Sequence, residues 1–88
     1  MMKTIAVYGS AMVRPDQPDF IAAYEVGKAL ASAGFEVMTG GYAGVMGAAS
    51  QGAGEVGGHV IGVTTGAVER LRGPELHVNK WVVDKIHY

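Results

Sequence analysis

The chain has no cysteine, which excludes disulfides, thiolate metal sites and thiol catalysis and agrees with a reducing cytoplasm. Charge is scarce: 17% of residues are charged and the formal net charge is −1, so nothing pulls the chain toward nucleic acid or an anionic membrane. Long apolar runs are lacking as well. The first apolar stretch begins after Lys3 and reaches only Gly9, too short for the core of a secretory signal or for a membrane span. A soluble cytoplasmic protein without membrane or nucleic-acid partners is the expectation. At 88 residues there is room for one domain with a thin core, since domains typically run to ~100 to 150 residues. What is abundant is apolar content, 49%, and glycine, 14 residues, a composition suited to a compact α/β chain.

Apolar runs and glycine stops divide the sequence. Thr4 to Tyr8 (TIAVY) is a continuous apolar run and predicts a strand buried on both faces, as in a parallel sheet. Gly9-Ser10 ends it, and Ala11 to Pro18 reads as a loop. Asp16 is the expected N-cap of a helix with Pro18 in its first turn. Phe20, Tyr24, Gly27, Leu30 and Ala31 recur at spacings of three and four, which predicts an amphipathic helix over Asp19 to Ala33 packed on the sheet and stopped by Gly34. Phe35 to Met38 predicts a second strand, about Val45 to Val56 a second helix, and His59 to Val63 a third strand after Gly57-Gly58. In the second helix Ala48, Ala49, Gly52 and Ala53 are small, permitting close backbone approach to the sheet or a ligand. The echo between Ala33 to Val37 and Gly57 to Ile61 needs no internal repeat; each helix requires a glycine stop before its strand. Thr64 to Val78 shows no sustained period, although Val68 and Leu71 fit one turn of a short helix. Asn79 to Asp84 (NKWVVD) predicts the fourth strand. The expected fold is α/β, a partial Rossmann-like three-layer parallel sheet of about four strands ordered 3-2-1-4, with a ligand beyond the carboxyl ends at the switch between strands 1 and 4.

The densest glycine stretch, Thr39 to Val63, spans the second strand's end, a tight turn and a helix start. A helix N-terminus approached through glycines presents unpaired N–H groups and a positive dipole end, with no Cβ to hold a phosphate away. The pattern G-G-x-x-G-x-x-G (Gly40, Gly41, Gly44, Gly47) is neither the dinucleotide fingerprint nor a P-loop, as no G-K-[ST] follows. Spacing alone leaves nucleotide binding and helix–sheet packing equally open.

Gly9-Ser10 after the first strand and GGYAGVMGAASQGAGEVGGHVIGV after the second resemble the N-terminal half of the LOG ("lonely guy") family, long labelled lysine decarboxylases. The resemblance runs from Lys3 to Val63. It implies a Rossmann-like, commonly dimeric protein whose relatives hydrolyse the N-glycosidic bond of cytokinin-type nucleoside 5′-monophosphates, a phosphoribohydrolase activity. In that family catalysis is tied to an arginine on the helix after strand 4 and to a P-G-G-x-G-T-x-x-E loop, and this chain contains neither. Thr64-Thr65 also replaces the apolar residue and proline common after strand 3. The expectation is therefore a single half-domain over residues 1–88 that binds a nucleoside monophosphate such as AMP, carries out little or no catalysis alone, and self-associates through a sheet edge beside strand 4 and uncovered surface around Trp81 and Val83. The alternatives are a non-catalytic nucleotide sensor and an assembly-dependent structural fragment.

The expected phosphate- and nucleotide-binding set is Gly9, Ser10, Gly40, Gly41, Gly44, Met46 and Gly47, with no catalytic residue, metal or cofactor. Gly52, Gly57 and Gly58 are expected to be structural. Ser10 lacks a G-x-S-x-G elbow and reads as a hydrogen-bond donor to phosphate or ribose. The side chains of Met38 and Met46 are expected to fill the strand–helix interface. His59, His77 and His87 have no metal-ligand spacing and read as solvated or capping residues. Lys3, Lys28, Lys80 and Lys85 lie in no cofactor motif, so the decarboxylase label has no chemical support, and Glu69 and Glu75 read as solvated loop carboxylates.

Overall fold

The computed structural model describes residues 3–9, 14–40, 44–64 and 79–87. Along the chain it forms β1 (Thr4–Ala6), α1 (Pro18–Ser32), β2 (Glu36–Thr39), α2 (Val45–Glu55), β3 (Val60–Thr64) and β4 (Asp84–His87). The stretch holding Val68 and Leu71, and with it the short helix expected there, lies outside the described residues.

Both helices end in the same way, and glycine makes that ending possible. Gly34 has φ +92° and Gly57 φ +77°, a left-handed conformation that costs a residue with a Cβ about 1 to 2 kcal/mol. At α1, Gly34 N–H donates to the Ala31 carbonyl at 3.0 Å and Phe35 N–H to Leu30 at 3.0 Å; at α2, Gly57 N–H donates to Gly54 at 3.0 Å and Gly58 N–H to Ala53 at 2.9 Å. Each pair is a Schellman closure that satisfies otherwise orphaned carbonyls. The sequence echo between Ala33 to Val37 and Gly57 to Ile61 is this shared stop. At its other end α1 departs from expectation by one residue. Its N-cap is Gln17 rather than Asp16, with Pro18 following: the Gln17 carbonyl accepts the Ile21 N–H at 3.3 Å, and its side chain turns back to accept the Arg14 N–H at 2.7 Å.

The sheet is entirely parallel and ordered β1-β2-β3-β4, which corrects the expected order 3-2-1-4. The physical reason lies in Asn79 to Val83. Asn79 Oδ1 accepts the Trp81 N–H at 3.0 Å and the Asn79 carbonyl accepts Val82 N–H at 3.3 Å, an Asx-type turn where a strand was expected. The Trp81 ring then lies against α2 so closely that a Cβ on Gly54 would fall 2.6 Å from Trp81 Cε3. Val83 N–H next donates to the Val60 carbonyl at 3.0 Å, so the chain enters the sheet beside β3 and β4 begins only at Asp84. Trp81 is accordingly half-buried, not uncovered, whereas Val83 is 64% exposed.

This order makes β1 an edge strand among the described residues. The reading of TIAVY as a strand buried on both faces is overturned: Thr4 and Ala6 are exposed and Tyr8 is 60% exposed. Two crossovers that step in one direction along a parallel sheet place their helices on one face. Inward positions of β2 and β3 alternate accordingly, with Val37, Thr39, Val60, Gly62 and Thr64 buried and Met38, Ile61 and Val63 half-exposed. Among the described residues no helix covers the second face, so the expected third layer is not seen there.

The helices pack first on each other. A Cβ on Gly27 would lie 2.0 Å from the Ala49 carbonyl oxygen, and one on Gly52 2.0 Å from that of Tyr24. Backbone meets backbone at both points. The core beneath is thin as expected. Val37, Ala53 and Val60 form its centre, with Val7, Leu30, Ala31 and Val82 against them, and among the described residues no fully buried side chain is larger than valine.

Candidate functional site

The carboxyl ends of β1 and β2 meet the start of α2. Val7 N–H donates to the Met38 carbonyl at 2.8 Å and carries β1 past its last paired residue toward that helix. Gly9 then lies against the first residue of α2: a Cβ there would fall 2.6 Å from Val45 Cγ1. Gly40 leaves β2 under the same turn, where a Cβ would fall 2.3 Å from Met46 Sδ. Gly44, the N-cap, has φ 74° and ψ −141°, a region that only glycine occupies without strain.

From there α2 begins at a glycine, whose N-cap position has no side chain to bond the first amides. Ala48 N–H makes the first intrahelical bond, to the Gly44 carbonyl at 2.9 Å, so the N–H groups of Val45, Met46 and Gly47 precede the ladder. The N-cap makes no side-chain cap bond and the first turn holds no acidic residue, so the helix itself sets no counter-charge at the positive end of its dipole.

Below the turn the site rests on buried hydroxyls. Thr39 ends β2, Thr64 ends β3, and Ser50 lies one turn into α2; all three are within 1% of full burial. Ser50 Oγ donates to the Met46 carbonyl at 2.9 Å and stands 3.1 Å from Thr39 Oγ1. Sequence reasoning missed this pair and missed Val45 as the residue that Gly9 touches. Two signals carried the information: a threonine closing an apolar strand, and a serine four residues after Met46 in a helix rich in alanine and glycine.

Of the expected set, Gly9, Gly40, Gly44, Met46 and Gly47 gather at this helix start, Gly40 and Gly44 buried, Gly9 exposed, Met46 and Gly47 half-buried. Ser10 and Gly41 lie outside the described residues, as do His77, Glu69 and Glu75. The expected switch point between strands 1 and 4 is absent from the described sheet, since β4 adjoins β3.

The remaining polar groups stand away from this turn. At the amino ends of the strands, Thr4 Oγ1 donates to Glu36 Oε1 at 2.7 Å. His59 Nε2 lies 2.5 Å from Asp84 Oδ2 and 3.9 Å from Glu36 Oε2. That nitrogen is sealed from solvent and has the separation of an ion pair without the alignment of a hydrogen bond. His59 was expected to be solvated or capping; the sheet instead brings it between two carboxylates. Among the described residues no such group is arranged to hold a metal. On the helices, the Tyr24 hydroxyl donates to Glu55 Oε1, and Gln51 Nε2 donates to Glu55 Oε2 at 2.9 Å. The bond to Glu55 raises the Tyr24 phenol above its ordinary range, with burial and the charges of Glu55 and Glu25 adding to it. The same bond, then that from Gln51, lowers the Glu55 carboxyl. Lys80 Nζ stands 5.1 Å over the Trp81 ring, a cation–π contact rather than a cofactor lysine. No described helix is long and apolar enough to cross a membrane.

Comparison with known proteins gives the family and the fold. The profile of the SLOG cluster4 family matches residues 2–79. No curated protein matches. Among solved structures, the molybdenum cofactor carrier protein of Chlamydomonas reinhardtii is 30% identical with a TM-score of 0.77, over 100% of this chain and 50% of that one. The molybdenum cofactor binding protein of the phototrophic bacterium Rippkaea orientalis is 31% identical with a TM-score of 0.77, over 98% of this chain and 49% of that one. The chain thus spans about half the length of the solved structures that it resembles.

Proposed function

Since the chain belongs to the SLOG cluster4 family and shares its Rossmann-like α/β fold with cofactor-binding proteins, we propose that it binds a small phosphate-bearing ligand, a nucleoside 5′-monophosphate such as AMP. The phosphate would sit on the Val45, Met46 and Gly47 amides. One observation carries the reading: Gly9 from β1 lies against Val45 at a helix start that has neither a side-chain cap nor an acidic first turn. An anion there would meet the positive end of the helix dipole at an edge where glycines let it approach. Catalysis in the LOG family is tied to a P-G-G-x-G-T-x-x-E loop that this sequence does not contain, so binding without hydrolysis is the expected activity of residues 1–88. A cytoplasmic location and self-association through an open sheet edge go with this reading.

The test is thermal melting of the chain with AMP, adenosine and inorganic phosphate, together with chromatography for released adenine. Hundredfold excess over Kd adds about 2.7 kcal/mol, which raises the melting temperature by about 10 °C or more at this chain length. No shift with millimolar AMP refutes the reading, and adenine release refutes the claim of binding without hydrolysis. A second reading, a molybdenum cofactor carrier, is favoured by the likeness to the two solved molybdenum cofactor proteins. Competition decides between them: cofactor that displaces AMP, and binds more tightly, makes the chain a carrier.

A further inference from the structure

The buried Thr39–Ser50 pair has a job at the phosphate site, and it rests on the reading of that site given above. Serine has one hydroxyl proton. Ser50 places it on the Met46 carbonyl, so Ser50 Oγ is left to accept from Thr39 Oγ1, 3.1 Å away. The Met46 carbonyl belongs to the same peptide group as the Gly47 N–H. Gly47 is the last amide before the helical ladder begins at Ala48. A hydroxyl chain therefore runs from the end of β2 through Ser50 into a peptide unit whose N–H precedes the helical ladder.

We propose that Thr39 and Ser50 are positioning residues for a phosphomonoester: they hold the Met46–Gly47 peptide in line and polarise it, making the Gly47 N–H a stronger donor to the ligand phosphate. Successive hydrogen bonds strengthen one another most where the dielectric is low, and both hydroxyl residues are fully buried. Back-bonding from serine to the carbonyl four residues earlier also sets the local bend of a helix, which aims the first-turn amides. Hydrogen bonding alone does not account for the placement, since alanine or valine would fill either position without burying a polar atom that must then be satisfied.

The experiment is titration of the isotope-labelled full chain with AMP and with adenosine, followed by the Gly47 amide resonance, for wild type, Thr39→Val, Thr39→Ser and Ser50→Ala. Cooperative strengthening of about 10–30% on a charge-assisted bond of about 1.5–3 kcal/mol corresponds to AMP binding about 1.3-fold to 4.6-fold weaker in Thr39→Val. Ser50→Ala should lose at least as much. Adenosine affinity should be unchanged, Thr39→Ser should bind AMP as wild type, and the free Gly47 amide proton should move upfield when either hydroxyl is lost. Equal AMP binding by Thr39→Val with an unmoved Gly47 resonance overturns the relay, as does equal weakening by Thr39→Ser. Wild type that shows no AMP-dependent shift at residues 45–47 refutes the phosphate site itself, and this role for the pair with it.

Discussion

Adding one methyl group at Gly27 should destabilise the protein, although the same change in an isolated helix would stabilise it. Alanine is favoured over glycine in a helix interior by about 0.5–1 kcal/mol. Against that gain, the new Cβ would lie 2.0 Å from the Ala49 carbonyl oxygen, 2.7 Å from its carbon and 2.8 Å from Ala49 Cα. All three are backbone atoms, so no side chain can swing away. Relief requires α1 to withdraw from α2 by about 1 Å, and a gap of that size forfeits a quarter to a half of each dispersion contact it opens. Overpacking of this kind costs about 1–3 kcal/mol, and at this interface it also pulls Leu30 and Ala31 from the core that they cover. The net loss is about 1–2 kcal/mol from a total that, for a chain of this length, is about 4 to 13 kcal/mol. The melting temperature should fall by about 4–8 °C for each kcal/mol lost. Urea melts followed by circular dichroism measure this directly, with Gly52→Ala as an independent repeat, since its Cβ would meet the Tyr24 carbonyl oxygen. Gly34→Ala is the contrast: nothing lies within 4 Å of that Cβ, so its cost is only the left-handed backbone. A Gly27→Ala protein that melts at or above the wild-type temperature would show that the helices are not in backbone contact.

Two further outcomes follow from the geometry. Gly44→Ala forces a Cβ into φ 74°, ψ −141°; it should cost about 1–3 kcal/mol and abolish the AMP-dependent rise in melting temperature, which a thermal scan reads in one plate. Tyr24→Phe removes the bond to Glu55, and its effect should depend on pH with a definite sign. The lowered Glu55 carboxyl contributes stability that is present above the ordinary carboxylate range and lost as pH falls through its lowered value. The raised Tyr24 phenol contributes stability that is present below the ordinary tyrosine range and lost as pH rises through its raised value. The difference in melting temperature between wild type and Tyr24→Phe should therefore be largest between those limits and shrink toward both; a difference that stays constant across acid and alkali refutes the assigned bond.

Local signals in the sequence were enough to determine the elements. Apolar runs located β1 to β3, spacings of three and four located α1, and Gly34 and Gly57 marked helix ends, because strand burial, helical periodicity and left-handed stops are each written within a few residues. The glycine block was legible in the same way: a strand, a turn and an uncapped helix start follow one another in sequence, and the LOG-like fold was recognisable from it. Tertiary structure alone decided the strand order, because β4 is drawn to β3 by Trp81 on Gly54 and by Val83 on Val60, contacts between segments more than twenty residues apart. It also decided why each glycine is present. Gly34 and Gly57 are required by their dihedral angles, Gly27 and Gly52 by a neighbouring backbone, and Gly9 by Val45; in the sequence all five are the same letter. The pairing of Thr39 with Ser50 is of that second kind. A hydroxyl at the end of a strand and another in a small-residue helix gain meaning only when the fold buries them against each other and removes the water that would otherwise satisfy them.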